Sequence, residues 1–376
     1  MIARQAVARG TDAERVALDI VEGLRGPDLR FAFVFADWQL DPHIIARVTQ
    51  RGLDPAPVAG GTTTGVIARD AAPGAAAVGL GLYGDWARIG IGVAPDLPKS
   101  ALTRSRDAVR TAAVALGTKV EALDPARHIG ISLIDGKCGH EEAFCIGSAA
   151  AAPQIRFVGG CAASDPQDPR RPYVWVRGEA MCDSAIALLL ESELPFCAVT
   201  SAHLVPTERR TVVTAAAGRV IEELDGQPAA ERLHTLVDDL GETLDDAQPL
   251  QYSFARYIDG VPYVRSITHI ADGRIHLASS VEAGHVLRVV RPVDLVGTTR
   301  RDLAATAERV GGSVAALLAF SCLARQLEAS ARGLESELAE AYAAYPTTGF
   351  QSFGEQSGML LVNHTLTGLA IGGGSR

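Results

Sequence analysis

Apolar runs of strand length alternate with segments of helical period along most of the chain. FAFVFA (31–36) is an unbroken apolar run, the pattern of a strand buried on both faces. APVAG (56–60), HIGISLID (128–135), IRFVGG (155–160) and VAALLAFS (314–321) read the same way. Shorter strands are expected at 65–70, 75–83, 86–94, 262–270, 274–279 and 285–290, with two closing strands around 358–371. YVWVRGEAMCDSAIALLLES reads as two strands joined by a tight turn at Gly178-Glu179, and FCAVTSA, TVVTAA and RVIEELDG continue the β-rich run. Between these lie helices. Thr11 and Asp12 can cap one through Leu24, and Asp41-Pro42 opens another to about Gly52, with proline at the favoured first position. Further helices are expected at 102–116, 141–150, 228–240, 293–310 and 322–343.

The mixture predicts an α+β (mixed α/β) fold: two β-rich lobes with helices packed outside, for which an α-β-β-α sandwich is one arrangement. The polar stretch GETLDDAQP (241–249) is the best boundary, giving an N-terminal helix (1–29) and regions 30–241 and 242–376. No repeat with a period of 20–50 residues is visible.

Composition narrows the function. A chain of 376 residues with 47% hydrophobic and 21% charged positions has enough apolar material for two or three packed domains. A net charge of −9 argues against non-specific nucleic-acid binding, which needs clustered cations. The N-terminal segment carries acidic residues every few positions, unlike a secretory or transit peptide. The longest apolar run, about 314–324, falls short of the ~18 residues a membrane span needs. Six cysteines without export signals read as reduced thiols. The expectation is a soluble cytoplasmic protein with no nucleic-acid or membrane partner.

VAGGTTTGVIA (58–68) invites a phosphate-loop reading that fails. Gly60 and Gly65 have the Walker spacing, but Val66 and Ile67 stand where Lys and Ser/Thr belong, and the residues beyond the second glycine are strand-like. Gly79, Gly81 and Gly84 spell G-x-G-x-x-G, yet the adjoining segment alternates like a strand where a dinucleotide site needs a helix. HEEAF (140–144) lacks the second metal ligand of H-E-x-x-H. The glycine pairs at 60–61 and 159–160 therefore either permit close backbone approach or help line a ligand site.

Seven segments, in order, resemble the FIST family. VAGGTTTGVIA, IRFVGGCAASD, RGEAMCDSAIALLLES and TVVTAAAGRVIEELDGQPAAE are similar to its N-terminal region. PYVRSI followed by Val281-Glu282-Ala283-Gly284, LLAFSCLARQLE and GFQSFGEQSGMLLVNHTLTG are similar to its C-terminal region. The sequence departs from the family pattern at Leu323-Ala324, where an alanine-glycine pair is usual, and at Cys161, where a residue such as serine is expected. The resemblance implies a sensory or signal-transduction module that binds a small ligand, amino acids having been suggested. Some members resemble haem-binding nitric-oxide sensors, and others recruit substrates for ubiquitin ligases.

Ten residues are the candidates for ligand binding: Thr62, Thr63, Gly160, Cys161, Arg265, Cys322, Arg325, Glu355, Asn363 and His364. Cys322 sits where a helix N-terminus can make a thiol reactive, or is simply a small buried hydrophobe. Arg325 can fork around a carboxylate or form a surface ion pair, Glu355 can take an amino group or accept turn amides, and Asn363 can bridge strand ends. A Cys138/His140/Cys145/Cys161 metal site matches no zinc spacing, so neither metal nor cofactor is expected. Three functions stay open: a ligand sensor that signals through a separate protein; a Cys322 enzyme with His364 as base and Glu355 orienting it; and a haem-based gas sensor needing one histidine beside an apolar slot.

Overall fold

The computed structural model describes residues 2–69, 75–245, 251–258 and 261–374, and in it the chain passes three times through one succession of elements. The first pass is β1 (Ala3–Arg9), α1 (Ala13–Leu24), β2 (Leu29–Asp37), α2 (Pro42–Leu53), β3 (Val58–Thr63), β4 (Val66–Ala68) and β5 (Ala75–Tyr83). The second is β6 (Ala87–Ala94), α3 (Leu97–Ala115), β7 (His128–Asp135), α4 (Glu141–Ala151), β8 (Phe157–Ala162), β9 (Val174–Val176), β10 (Glu179–Met181) and β11 (Ala185–Ser192). The third opens with β12 (Phe196–Ser201) and then carries an insertion. That insertion is β13 (Leu204–Ala217), β14 (Val220–Leu224), β15 (Gln227–Pro228), α5 (Ala229–Asp238), β16 (Ser253–Ile258), β17 (Val261–Ala271), β18 (Arg274–Leu277) and β19 (Val286–Pro292). The pass resumes with α6 (Leu295–Arg309), β20 (Val314–Cys322), α7 (Leu323–Ala331), α8 (Glu335–Ala343), β21 (Thr347–Ser352), β22 (Glu355–Ser357), β23 (Leu360–Val362) and β24 (Leu366–Gly372).

Each pass builds a sheet of the same design. The orders β1-β5-β2-β3-β9-β10, β6-β11-β7-β8-β22-β23 and β12-β24-β20-β21-β4 share one central parallel pair: β2/β3, β7/β8 and β20/β21. One short strand of each pass crosses to a neighbouring sheet: β4 pairs with β21, β9 with β3 and β22 with β8. The three sheets thus form a ring. The insertion forms a fourth, seven-stranded sheet with its own core around Phe254, Ile275 and Leu233.

Alternation explains the layering. On β2, Phe31, Phe33 and Phe35 point into the central core, as do Ile129, Ile131 and Leu133 on β7 and Ala316, Leu318 and Phe320 on β20. The opposite faces pack against the helices: Ala32, Val34 and Ala36 with Ile20 and Leu24 of α1, and Leu317 and Ala319 with Leu303 and Leu338. The arrangement is α+β, but the two-lobed sandwich is replaced by three sheets around one core.

The expected glycine contacts are mostly steric. A Cβ on Gly60 would lie 1.6 Å from the Val34 carbonyl oxygen, and one on Gly159 would lie 2.0 Å from Ser132 Oγ. Both allow neighbouring strands to pack without a side chain between them.

Expected elements shift in several places. Ala3–Arg9, ahead of the first helix, is a strand. The segment after residue 172 holds three strands, because Arg177 and Gly178 both have positive φ and turn the chain between β9 and β10. The long helix at 322–343 breaks into α7 and α8 at Gly333, φ +66°. Residues 246–249 of the expected boundary lie outside the described residues.

Candidate functional site

The three parallel pairs all end toward one side of the ring, where the inward layer turns polar at Asp37, Asp135 and Cys322. Carboxyl ends of parallel strands are the usual place for a ligand, since the loops there are free to carry chemistry. A cavity of about 710 Å³ opens at this end between the second and third passes, and the inserted sheet covers it. Its floor is Lys137, Cys322, Ser352 and Phe353 from the strand ends; its roof is Arg219, Ser266 and Leu277 from the insertion. Leu323 and Leu327 of α7 form an apolar side, and Leu327 is half exposed.

Of the ten candidate residues, only Cys322 reaches this wall. Its sulfur lies against the amides of His364 and Ala324 and the carboxyl of Glu355. Burial outweighs those amides and pushes the thiol well above its ordinary range, so the helix terminus does not leave a thiolate here. Glu355 is fully buried directly beneath. Ser352 Oγ donates to its Oε1 at 2.6 Å and Thr365 Oγ1 to its Oε2 at 2.6 Å, yet burial still pushes its pKa up to about 8.

A second polar cluster lies in the same layer. His203 Nε2 and His364 Nε2 both donate to Glu328 Oε2, at 2.6 and 2.9 Å, and Arg332 donates to Oε1 at 2.6 Å. Arg325, 0% exposed, donates to Thr299 Oγ1 at 2.6 Å and approaches His203 Nδ1 at 3.4 Å. Burial lowers His203 to about 4 despite the neighbouring carboxylate. Burial alone would raise Glu328, but the two imidazoles outweigh it and hold the acid well below its usual range.

His203, Glu328 and His364 are close enough to share a metal ion. The tautomers argue for a hydrogen-bond network in its place. A metal on His203 Nε2 would require a proton on Nδ1, which would then face another donor on Arg325. The side chains of Arg325 and Arg332 also bring positive charge to the same cluster.

The remaining candidates are dispersed through the ring. Thr62 Oγ1 accepts from the Tyr173 amide at 2.9 Å, and Thr63 Oγ1 lies 2.8 Å from the carbonyls of both Gly65 and Gln351, to either of which it can donate, so these hydroxyls join strands. Gly160 pairs with Glu355 across β8 and β22, and the Cys161 amide donates to the Gly354 carbonyl at 2.8 Å. Arg265 donates to the Leu361 carbonyl at 3.1 Å and pairs with Glu142 at 3.5 Å, linking the inserted sheet to the ring. Asn363 is fully buried with no side-chain partner among the described residues, and His364 holds φ +58°. The Cys-His-Glu order expected of an enzyme is not assembled: the imidazole of His364 turns to Glu328, while Glu355 contacts the thiol itself.

Reading the sequence missed Lys137, Arg219 and Ser266. Lys137 had a usable signal, as it follows the buried strand HIGISLID by one glycine. Arg219 and Ser266 had none, because only the fold brings the insertion over the strand ends.

The fold defines an α+β protein with a cavity placed between a three-sheet ring and an inserted sheet. The FIST N domain model matches residues 30–227 and the FIST C domain model residues 229–358, so the chain belongs to the FIST family, whose domains are linked to signal transduction and small-ligand sensing. Among solved structures, a cyanuric acid hydrolase from A. caulinodans is 11% identical, with 99% of each chain covered and a TM-score of 0.42. A second cyanuric acid hydrolase structure is 9% identical over 99% of this chain and 100% of that one, with a TM-score of 0.33. No curated protein matches the chain. No helix among the described residues is long and apolar enough to cross a membrane.

Proposed function

We propose that this protein is a small-ligand sensor whose ligand, a small polar metabolite with amino acids among the candidates, occupies the cavity above Cys322. The supporting observation is the cavity's construction: one wall belongs to the ring and the other to a separately cored sheet. A ligand touching both walls favours one arrangement of the two bodies over another, and couplings of this kind are typically worth about 1–3 kcal/mol. The change would be read by a separate signalling protein. All six cysteines are free, which supports a reducing, cytoplasmic setting.

The test is a thermal-shift screen against amino acids, nucleotides, polyamines and organic acids, repeated on Leu327→Trp to fill the cavity side. At 100 times its dissociation constant a ligand adds about 2.7 kcal/mol of stability, a shift of several degrees. A selective shift lost in Leu327→Trp supports the reading. A flat screen, or a shift the variant retains, overturns it.

One observation favours a Cys322 enzyme as the second reading, namely the thiol in the wall with Glu355 in direct contact. Glu355 would then take the thiol's proton without His364, and Cys322→Ser would remove any turnover while leaving ligand binding. Haem fits less well. The wall's one histidine, His269, is exposed and stacked on His276 with ring centroids 4.0 Å apart, so it offers no buried axial ligand.

A further inference from the structure

We propose that the insertion is a hinged lid over the cavity, latched shut by the two acids that open α4, Glu141 and Glu142. This rests on the cavity being the ligand site and concerns how a ligand gains entry to it.

The insertion is joined to the ring as a separate body. Among the described residues, the four apolar clusters of the ring include no residue of the insertion, and the insertion's own two include none of the ring. Bodies that share no large apolar interface move relative to one another by default. The linkers are two residues each, Ala202-His203 before β13 and Val293-Asp294 after β19. They run side by side: the Val293 amide donates to the His203 carbonyl at 2.9 Å, and Leu204 faces Pro292 in the β13/β19 pair. Two short adjacent linkers at one edge of a body are the makings of a hinge. Helix α7 pins that edge, since Glu328 holds the His203 imidazole and Arg332 donates to the Val293 carbonyl at 3.4 Å.

The far edge is held by charge. Arg219 donates to Glu141 Oε2 at 2.6 Å, Arg265 pairs with Glu142 at 3.5 Å, and the Ser280 amide donates to Glu142 Oε2 at 3.3 Å. The three partners belong to the insertion, and both acids stand in the first turn of α4. The helix N-terminus favours those carboxylates whether or not the lid is down, which suits a latch that releases and re-forms. The hinge sits on the third pass and the latch on the second, and the cavity lies between them. Arg219 is also part of the cavity roof, so releasing it from Glu141 lifts the roof.

Helix α7 ties the cavity to the hinge. Leu323 and Leu327 line the cavity, and the next residue, Glu328, is the anchor of the hinge histidine. A ligand resting on Leu327 therefore bears on the element that sets the lid's angle.

The experiment uses the full chain without ligand and iodoacetamide as the probe, with labelling of each cysteine followed by peptide mass spectrometry. Cys322 is 4% exposed on the cavity floor beneath the lid, whereas Cys145 is fully buried in a core of the ring. Arg219→Gln and Glu142→Gln should each speed the labelling of Cys322 about tenfold while leaving Cys145 unchanged, as local opening does. Glu142 is only half-buried, so its variant keeps the test open if the loss of Arg219 impairs folding. Cys322 labelled at the wild-type rate in the folded variants would overturn the lid. A parallel rise at Cys145 would overturn it too, because the ion pairs would then hold the whole fold and not a gate. No ligand takes part, so the lid can fail while a screening hit lost in Leu327→Trp keeps the ligand site, and a flat screen leaves the labelling result intact.

Discussion

At the scale of single residues, the polar layer over the core depends on which groups stay uncharged. Glu355 has its folded pKa raised to about 8, above its unfolded value near 4.3. Between those values the folded state holds a proton that the unfolded chain has lost, so stability falls as pH rises and levels off above about 8. His203 acts oppositely. Its folded pKa is lowered to about 4, so stability rises with pH up to its unfolded value near 6.5 and is flat beyond. Between pH 6.5 and about 7.5 the slope is therefore set mainly by Glu355, before the buried cysteines, whose folded pKa values are also raised, add their own decline. Thermal melts there should show stability declining in the wild type and a distinctly shallower decline in Glu355→Gln; parallel slopes would refute the protonated acid. Cys322, Arg325, Glu355, Asn363 and His364 were legible because they fall in LLAFSCLARQLE and GFQSFGEQSGMLLVNHTLTG, the two segments that resemble the end of the family's C-terminal region. Their partners His203 and Thr299 were not, since no local pattern connects 203 or 299 to 364.

At the scale of elements, start signals served well where side chains do the capping. Asp12 and Asp41 accept from the first-turn amides of α1 and α2, as their positions before apolar-periodic segments imply. Strands lacking an apolar pattern escaped notice. β22 reads EQS, and its burial is repaid by hydrogen bonds: Gln356 accepts from Ser132 at 2.5 Å and donates to Ser148 at 3.1 Å. β1, reading ARQAVAR, looks like a polar leader until β5 pairs with it. The glycine pair in VAGGTT gives a sharp test at this scale. Gly60→Ala should cost about 2 kcal/mol or more, seen as a lower denaturation midpoint, because the methyl meets a neighbouring strand's carbonyl and the Trp175 ring. A variant as stable as wild type would return the glycines to a ligand-lining role.

At the scale of the molecule, the threefold design was invisible in the sequence. Equivalent positions match only in part, Cys322 standing where the first two passes have Asp37 and Asp135, and the insertion makes the third pass much longer than the others. A search for short repeats has nothing to detect when the period is a whole sheet with its helices. The shared core predicts cooperative behaviour. Phe35, Phe320 and Phe350 meet at centroid distances of 4.6 to 6.4 Å, although they come from opposite ends of the chain. Phe320→Ala should lower stability by about 3–5 kcal/mol and shift the unfolding of all three sheets together in denaturant. Separate transitions, with only one sheet affected, would show that the ring is not one cooperative unit.

The crossing strands also order events during synthesis. β3 emerges early, but its partner β9 belongs to the next pass, and β4 must wait for β21, about three quarters of the chain later. At about 5–20 residues per second, the first sheet keeps an unpaired edge for seconds and β4 stays without its strand for on the order of tens of seconds. The nascent ring therefore stays open until β21 and β22 have been made, since these strands join the third sheet to the first and second.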